Sequence, residues 1–482
     1  MNFKGSPWQV PLLVFLISLL TFLACLNGIW AADHPTSFID LDYAIWANHS
    51  FSVGKVGEFT PNSVDLFQYK GAYYSASAPG TAILAYPFVA LGFYLEGGFT
   101  LFGKVLLLSE VFVALVNALA VYVLYRIAKS FFCSDRAAIF IAFAYAFSTI
   151  SWPFATYLFQ SDVSALFVLL ALYFALKAVQ RTDGSSQPPI RNFLLCGLAI
   201  GTALTVDYVD GILVPIFLGY LIVASSGSIS TRIKGAGSFL LTSLIGVLLL
   251  AFYNYSSFGT FYTSSEQLYL HSPGLFGGFS FFLPSGLFLN LFTPLRGLFL
   301  YSPIMAAGLF GIYKQFKSSS FNRNSLFVLL VFLAIVVPYS MFYTPEAGNS
   351  FGLRYLVPAM PLLLLPIGSV IDDAHRKRPG VVLWLLYLLY SVGVLINGLA
   401  ALTTAIPPIM QWFSSPLTSN VLPALARGQL DTWWIHQIGP LWPCIALLIL
   451  SLAIVAPALV WRLQGSGRIE NTYHDSDGTR AV

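Results

Sequence analysis

The chain has 482 residues, of which 57% are hydrophobic and only 9% are charged, whereas an ordinary soluble domain carries roughly 25% charged residues. This composition excludes a soluble globular protein and indicates a polytopic membrane protein. The formal net charge of +4 falls mostly in loops that orient helices, so it does not indicate a nucleic-acid partner.

Apolar stretches recur along the whole chain. Because a bilayer core is crossed by about 20 mostly apolar residues, the pattern predicts an all-α integral membrane bundle of about twelve transmembrane helices. The predicted spans are 9–30, 104–127, 137–152, 160–179, 192–206, 209–226, 236–256, 298–314, 325–343, 354–371, 380–404 and 438–462. They form one domain over residues 1–462, followed by a polar cytoplasmic tail over 463–482.

The first span has an alternative interpretation as a cleaved signal peptide, because small residues stand at Ala31 and Ala32. Its apolar run is long for the hydrophobic region of such a peptide. The sequence therefore favours a retained first transmembrane helix.

The basic residues predict the topology. If the first span leaves the cytoplasm, the outer side receives only six of the 24 Lys and Arg residues, namely Lys55, Lys70, Lys104, Arg296, Arg354 and Arg427. This positive-inside bias predicts a multi-pass protein of the inner (plasma) membrane with both termini in the cytoplasm. Three long segments, 31–103, 257–297 and 405–437, then lie outside, and function is expected there.

Several motifs of other enzyme classes are absent from the sequence. It contains no G-x-x-x-x-G-K-[ST], no G-x-G-x-x-G after a strand and no H-E-x-x-H, so ATP-driven transport, nicotinamide chemistry and zinc proteolysis lack their usual residues. The four cysteines fall in or beside apolar spans without metal-ligand spacing, which excludes a disulfide framework and a zinc site.

Ionisable residues gather on the predicted outer side. They include Asp40 and Asp42 in the first outer segment, Asp207 and Asp210 at a turn between two spans, and Glu58, Asp65, Lys70, Glu266, His271, Arg296, Glu346, Arg354 and Asp431. Charged groups near a bilayer are costly unless they are paired or face water. Asp207, Asp210 and Arg354, which lie at span ends, are therefore candidate functional residues, with snorkelling or a local ion pair as the alternative.

Asp40 and Glu110 have specific structural interpretations. Ser37 precedes Asp40 by three residues, a spacing that is also typical of a helix-capping pattern. Glu110 lies within a predicted span, where a lipid-facing carboxylate would be expensive, so we expect it to face the bundle interior.

Three stretches, taken together with the early acidic pair, resemble a known family. "YYSASAPGTAILAYPFVALG", "TPLRGLFLYSPIM" and "GNSFGLRYLVPAMPLLLLP" are similar to segments of the bacterial GT-C glycosyltransferases, such as lipid A aminoarabinose transferases and protein O-mannosyltransferases. The resemblance covers roughly residues 9–371. It implies transfer of a sugar from a polyprenyl-phosphate carrier to a lipid, glycan or protein acceptor on the outer face, with membrane lipids as further partners and no nucleic acid.

The resemblance also implies roles for particular residues. Asp40 or Asp42 is the general base that takes the acceptor's proton, so that single displacement inverts the anomeric centre; the register leaves the choice open, with Asp40 preferred. Binding of the donor and its phosphate is assigned to Arg354, Lys70, Arg296, Tyr73, Tyr74 and Asp207.

The segment from Tyr73 to Gly80 matches the family pattern Y-Y-S-x-K-x-P-G except at one position. Ser77 stands where the family has a lysine that can serve the carrier phosphate, so that phosphate must be held by other cations. Pro79 and Gly80 are expected to begin a helix that lies along the membrane surface. In the fourth span, Asp162 stands near a position where related chains often have a histidine, with helix capping as its alternative role.

The remaining predictions concern cofactors and other functions. Some relatives that act on pyrophosphate carriers need a divalent metal and several that act on monophosphate carriers do not; since the sequence shows no metal constellation, no cofactor is predicted, and a divalent cation stays the alternative. A transporter or lipid flippase is the first alternative function, although no internal repeat is evident. A non-catalytic homologue that binds carrier lipid is the second.

Overall fold

The computed structural model describes most of the chain. The described residues are 9–28, 33–53, 63–96, 103–180, 189–225, 228–271, 279, 282–342, 350–377, 380–403, 414–430 and 432–474. Glu58, Glu346 and Asp431, which the sequence places among the outer-side charges, lie outside these ranges.

Helices dominate the structure. In chain order they are α1 (Gln9–Ala24), α2 (Asp33–Asn48), α3 (Gly80–Glu96), α4 (Lys104–Phe131), α5 (Asp135–Phe147), α6 (Ser151–Phe154), α7 (Gln160–Val179), α8 (Ile190–Val206), α9 (Leu213–Ala224), α10 (Ile229–Phe258), α11 (Ser265–Tyr269), α12 (Leu283–Phe292), α13 (Leu298–Tyr301), α14 (Met305–Lys317), α15 (Arg323–Met341), α16 (Met360–Leu364), α17 (Ile367–Lys377), α18 (Val381–Leu402), α19 (Leu422–Ala426), α20 (Trp433–Ile438) and α21 (Trp442–His474). Two 3₁₀ turns that matter below are Tyr208–Ile212 and Arg354–Leu356.

Among the described residues, six helices are long and apolar enough to cross a membrane: α4, α7, α10, α15, α18 and α21 over Trp442–Arg462. Several other predicted spans coincide with shorter apolar helices, including α1, α8 and α9. The membrane character is thus confirmed, whereas the number of about twelve crossings stays a prediction. The last helix continues to His474, past residue 463 where the tail is predicted to begin.

The first outer segment contains a β-hairpin, which the all-helical prediction missed. Strand β1 (Leu66–Tyr69) pairs antiparallel with β2 (Ala72–Ser75), with Tyr69 opposite Ala72. The two residues between the strands, Lys70 and Gly71, both have positive φ, 48° and 83°. This is the backbone of a tight hairpin turn, for which a glycine is well suited.

Helix α3 begins at Gly80, as the Pro-Gly pair predicts, with the Ile83 amide donating to the Pro79 carbonyl at 3.0 Å. Its buried residues Ala82, Ala85, Val89 and Phe93 recur at helical spacing and pack against α4 and α2. Its orientation along the membrane surface stays a prediction.

The start of α3 meets the end of α8 at very short range. A Cβ atom built on Gly80 would lie 2.4 Å from the backbone oxygen of Thr205, which is far inside van der Waals contact. Only glycine therefore permits this approach. The contact fixes the last turn of α8, directly before Asp207.

Small residues also hold α8 against α10. A Cβ on Gly197 would lie 2.1 Å from the Phe239 oxygen, and one on Gly246 would lie 2.0 Å from the Gly201 oxygen. Close backbone approach through small residues four positions apart is a common packing mode of membrane helices. It positions α8, and with it Asp207, relative to the long α10.

Glu110 faces the interior of the bundle, as expected from its position within a span. It is 2% exposed, and its two oxygens accept hydrogen bonds from the Gly28 amide at 3.0 and 2.8 Å. The carboxylate thus ties α4 to the turn that follows α1.

We expect Gly80→Ala to destabilise the protein by about 1–3 kcal/mol, because the added methyl group overpacks the α3–α8 contact. Thermal unfolding in detergent measures the effect. Gly219→Ala in α9 is the matched control, since nothing lies within 4 Å of a Cβ there, and it should leave the unfolding midpoint unchanged or raise it. Equal midpoints for both variants would contradict the close approach.

Glu110→Ala is expected to cost about 1–3 kcal/mol, because the Gly28 amide loses both acceptor oxygens inside the bundle. Glu110→Gln keeps one acceptor oxygen and should retain most of the stability. The comparison uses the same thermal unfolding assay; an alanine variant as stable as the glutamine variant would show that this hydrogen bond contributes nothing.

Candidate functional site

A polar cluster forms where the ends of several helices meet at the side that the topology assigns to the exterior. The N-terminal turn of α2, the residues before β1, the start of α7, the turn after α8, the end of α15 and the 3₁₀ turn at Arg354 each contribute one or two side chains. We name this group the rim cluster and define it as His34, Asp65, Phe159, Gln160, Asp207, Tyr339, Arg354 and Tyr355.

Arg354 is the cation of the rim cluster with the fewest hydrogen-bond and ion-pair partners among the described residues. The central carbon of its guanidinium lies 4.7 Å from the centroid of the Phe159 ring and 5.3 Å from that of Tyr355. Its Nε atom is buried and has no hydrogen-bond partner, and no ion pair joins it to a carboxylate, within the part of the chain that the structure describes. Two aromatic faces therefore stabilise a guanidinium whose donors stay available for a ligand.

Asp65 and His34 form an ion pair next to Arg354. His34 Nδ1 lies 3.3 Å from Asp65 Oδ1, and His34 Nε2 contacts Gln160 Oε1. Burial raises the pKa of Asp65, but the interactions with His34 and with the Arg354 guanidinium outweigh it and hold that pKa below its usual value. Asp65 is therefore ionised at neutral pH.

Asp207 also interacts with the Arg354 guanidinium and lies at the junction of α8 and the following 3₁₀ turn. Tyr339 donates its hydroxyl to Asp207 Oδ2 at 2.5 Å, and the Val209 amide donates to Oδ1 at 3.1 Å. The Tyr339 ring stacks on Tyr355 at a centroid distance of 4.8 Å. Burial raises the pKa of Asp207 even though these hydrogen bonds, His34 and Arg354 lower it.

Further acidic groups surround Asp207. Asp210 accepts a hydrogen bond from the Ser164 hydroxyl at 2.6 Å. Burial, together with the nearby charge of Asp207, raises the pKa of Glu266 to about 8. Glu266 is therefore mostly protonated at neutral pH, which limits the negative charge near Arg354.

The two aspartates predicted as the base lie on α2. Asp40 is 1% exposed and Asp42 is 0% exposed. Neither oxygen of Asp42 has a hydrogen-bond partner among the described residues, and burial raises the pKa of Asp42 well above its usual value. Burial thus disfavours the ionised form of Asp42, whereas Asp40 makes polar interactions within the fold.

The capping interpretation of Asp40 is wrong. Helix α2 is already formed at Asp33, so Ser37 lies inside the helix rather than at its N-cap. Its hydroxyl instead donates to the His34 carbonyl at 2.8 Å.

The other predicted donor-binding residues lie outside the rim cluster as defined. Lys70 is at the exposed tip of the hairpin, with its ammonium 5.1 Å from the centroid of the Tyr69 ring. Tyr73 and Tyr74 lie on β2, where the Tyr74 ring packs 5.2 Å from that of Phe258 and burial raises the pKa of Tyr74. Arg296 is 1% exposed and donates from Nε to the Ser350 carbonyl at 2.9 Å.

Ser77, the position that lacks the family lysine, is connected to the site through its backbone. Its carbonyl accepts from the Ser265 hydroxyl at 3.0 Å, and the same hydroxyl lies 3.1 Å from the Tyr208 hydroxyl. Tyr208 follows Asp207 directly in the chain. The stretch before α3 therefore borders the rim cluster without contributing a cation to it.

The structure brings together two of the predicted site residues, Arg354 and Asp207, and adds others that sequence reasoning did not assign. Asp65 is among the outer-side charges noted in the sequence, but nothing in its surroundings singled it out. His34, Gln160 and Tyr339 carry no motif. No group of three or more His, Cys, Asp or Glu in a metal-binding arrangement is present in the described ranges.

Comparison with known proteins finds a matching family model and solved structures of similar fold. The family model described as dolichyl-phosphate-mannose-protein mannosyltransferase matches residues 87–253. A comparison with curated protein sequences finds no significant match.

Three solved structures share the fold over nearly the whole chain. ArnT from Cupriavidus metallidurans bound to undecaprenyl phosphate is 16% identical, with a TM-score of 0.54 over 95% of this chain and 76% of that one. The Archaeoglobus fulgidus oligosaccharyltransferase in the apo form is 14% identical, with a TM-score of 0.53 over 93% and 60%. The Archaeoglobus fulgidus oligosaccharyltransferase AglB in complex with an inhibitory peptide and a dolichol-phosphate is 13% identical, with a TM-score of 0.52 over 93% of this chain and 60% of that one. The chain therefore has the GT-C fold of membrane glycosyltransferases.

Proposed function

We propose that the protein transfers a sugar from a polyprenyl-phosphate carrier to an envelope acceptor on the outer face of the inner membrane. The observation that carries this proposal is the Arg354 guanidinium, which lies between two aromatic rings at the end of a predicted span and has no ion-pair partner in the described structure. Two of the similar structures hold undecaprenyl phosphate or a dolichol-phosphate, which supports the same class of donor here.

The chemistry of the donor fits such a cation. A guanidinium presents a planar fork of N–H donors that matches two phosphate oxygens. When the bond between the anomeric carbon and the phosphate oxygen breaks, that oxygen keeps the electron pair and the phosphate gains a negative charge. A cation held ready at this point stabilises the transition state more than the ground state.

The acceptor needs a base. Its hydroxyl loses a proton as its oxygen attacks the anomeric carbon, and a carboxylate is the proton acceptor expected from the family resemblance. Asp40 is favoured over Asp42, because burial raises the pKa of Asp42 well above its usual value and so disfavours the ionised form that a base needs. A single displacement of this kind inverts the anomeric configuration.

The remaining assignments are parts of the same proposal. Asp207, oriented by Tyr339, is placed to accept hydrogen bonds from sugar hydroxyls. Lys70, Tyr73, Tyr74 and Arg296 are proposed to border the path of donor or acceptor rather than to bind the phosphate. Both termini are assigned to the cytoplasm, and transfer is proposed to need no metal.

The absence of lysine at Ser77 supports a second candidate, a homologue that binds carrier lipid without turnover. This candidate and the enzyme differ in one measurable respect. Purified protein supplied with a labelled polyprenyl-phosphate sugar and an envelope extract should release free carrier phosphate if it is an enzyme. Lipid binding with no release would favour the non-catalytic protein.

Arg354→Ala is expected to lower sugar transfer by at least about 100-fold, since it removes the proposed phosphate ligand. Arg354→Lys should recover part of the activity, because it keeps the charge and loses the planar fork. Arg427→Ala is the control, as Arg427 is an exposed cation whose Nε donates to Gln429. Full activity of Arg354→Ala in membranes with labelled donor would remove the phosphate role.

Asp40→Asn is expected to abolish transfer, about 10²–10⁴-fold, while expression and unfolding temperature persist. Asp42→Asn should keep transfer, because an amide replaces a carboxyl whose ionised form is disfavoured by burial. If Asp42→Asn is inactive and Asp40→Asn active, the two roles are reversed; if the double variant is active, neither aspartate is the base.

A further inference from the structure

His34 has polar partners on both ring nitrogens. Nδ1 lies 3.3 Å from Asp65 Oδ1, and Nε2 contacts Gln160 Oε1. The ring stacks on Phe159 with a centroid distance of 5.4 Å and an interplanar angle of 19°. The imidazole is therefore fixed in position and orientation by Asp65 on one side and by the neighbouring Phe159 and Gln160 on the other.

Both partner atoms are hydrogen-bond acceptors. The Asp65 carboxylate has no proton to donate, because its pKa is held low, and a side-chain amide oxygen only accepts. An imidazole that meets an acceptor on each nitrogen must carry a proton on each. The imidazolium is thus the form of His34 that satisfies its surroundings.

The Phe159 ring lies against both the His34 imidazole and the Arg354 guanidinium. The His34 ring and the Arg354 guanidinium both lie within 5.4 Å of the same aromatic centroid. Like charges repel, so two cations beside one aromatic ring are stable only if anions are near both. Asp65 pairs with His34, whereas Arg354 has no such partner in the described structure.

Two carboxyl groups interact with both His34 and Arg354. They are Asp65 before β1 and Asp207 after α8. The Asp207 carboxyl is already engaged by the Tyr339 hydroxyl, and its pKa is raised by burial. A bound phosphodiester would add negative charge beside the two cations, where burial disfavours the ionised form of Asp207.

We propose that His34 is a second cationic ligand of the carrier phosphate, acting beside Arg354 and taking the place of the lysine that is missing at Ser77. Asp65 is its positioning residue: it holds the ring through the contact at Nδ1. On binding, a phosphate oxygen replaces Gln160 as the acceptor at Nε2. This inference rests on the proposed function and adds to it a second ligand for the phosphate.

The test measures lipid affinity rather than turnover. The probe is methyl farnesyl phosphate, a phosphodiester that carries one negative charge at every pH used, and the full-length protein is held in nanodiscs. The wild-type protein should bind the diester about tenfold or more tightly than the His34→Gln variant does. Farnesol, which lacks the phosphate, should bind equally to both proteins.

Three variants separate a ligand role from a structural one. His34→Gln should bind the diester weakly, whereas His34→Arg should recover affinity, because a guanidinium is always charged. Asp65→Asn should weaken binding of the diester but not of farnesol, since His34 loses the contact at Nδ1 that positions its ring. His271→Gln, which changes an exposed outer-side histidine, should match wild type.

Two results would overturn the inference in different ways. If His34→Gln binds the diester with wild-type affinity, or if that variant is unfolded and Asp65→Asn binds the diester as tightly as wild type, His34 is not a phosphate ligand while the proposed function stands. If the wild-type protein binds the diester no better than farnesol at any pH, the proposed function fails as well.

Discussion

The site depends on the Arg354 guanidinium, which lies at the edge of the membrane bundle. Among the described residues it has no carboxylate partner in an ion pair. Removing such a charge from bulk water costs free energy unless something replaces the water. Around Arg354 the replacement consists of two aromatic rings and a set of carboxyl groups that interact with it at longer range. This arrangement stabilises the cation and leaves its donors available, which is the requirement for binding an anion reversibly.

The bundle supplies this arrangement through a few close contacts between helices. Gly80 lets the start of α3 meet the end of α8, and the glycines of α8 and α10 bring those two helices together. Both contacts fix the turn that carries Asp207. Because the aromatic rings of Tyr339 and Tyr355 stack on each other, α15 and the turn at Arg354 are fixed to the same place. The site is thus made by helix ends, which rigid packing positions precisely.

Much of the membrane architecture could be predicted from the sequence. Apolar stretches separated by polar turns give the positions of helices such as Gln160–Val179, because a bilayer imposes length and hydrophobicity on each segment. The hairpin at 66–75 was missed, since its signal is a Lys-Gly turn between two short strands, and the prediction attended to helical periodicity.

Site residues could be predicted only where their position relative to an apolar span made them unusual. Arg354 and Asp207 stood out because a charge at the end of an apolar span is costly. His34, Gln160 and Tyr339 did not, because each becomes meaningful only through a neighbour that is distant in sequence: the His34–Gln160 contact joins residues 126 positions apart, and the Tyr339–Asp207 contact joins residues 132 apart. Such pairings follow from the fold, not from local pattern.

The most direct test of the central claim is an experimental structure of the protein with undecaprenyl phosphate bound in nanodiscs. The account predicts phosphate density within hydrogen-bonding distance of the Arg354 guanidinium, with the polyprenyl chain leaving the rim cluster toward the lipid. Phosphate bound at another site, with the Arg354 guanidinium unchanged and remote from it, would contradict the account.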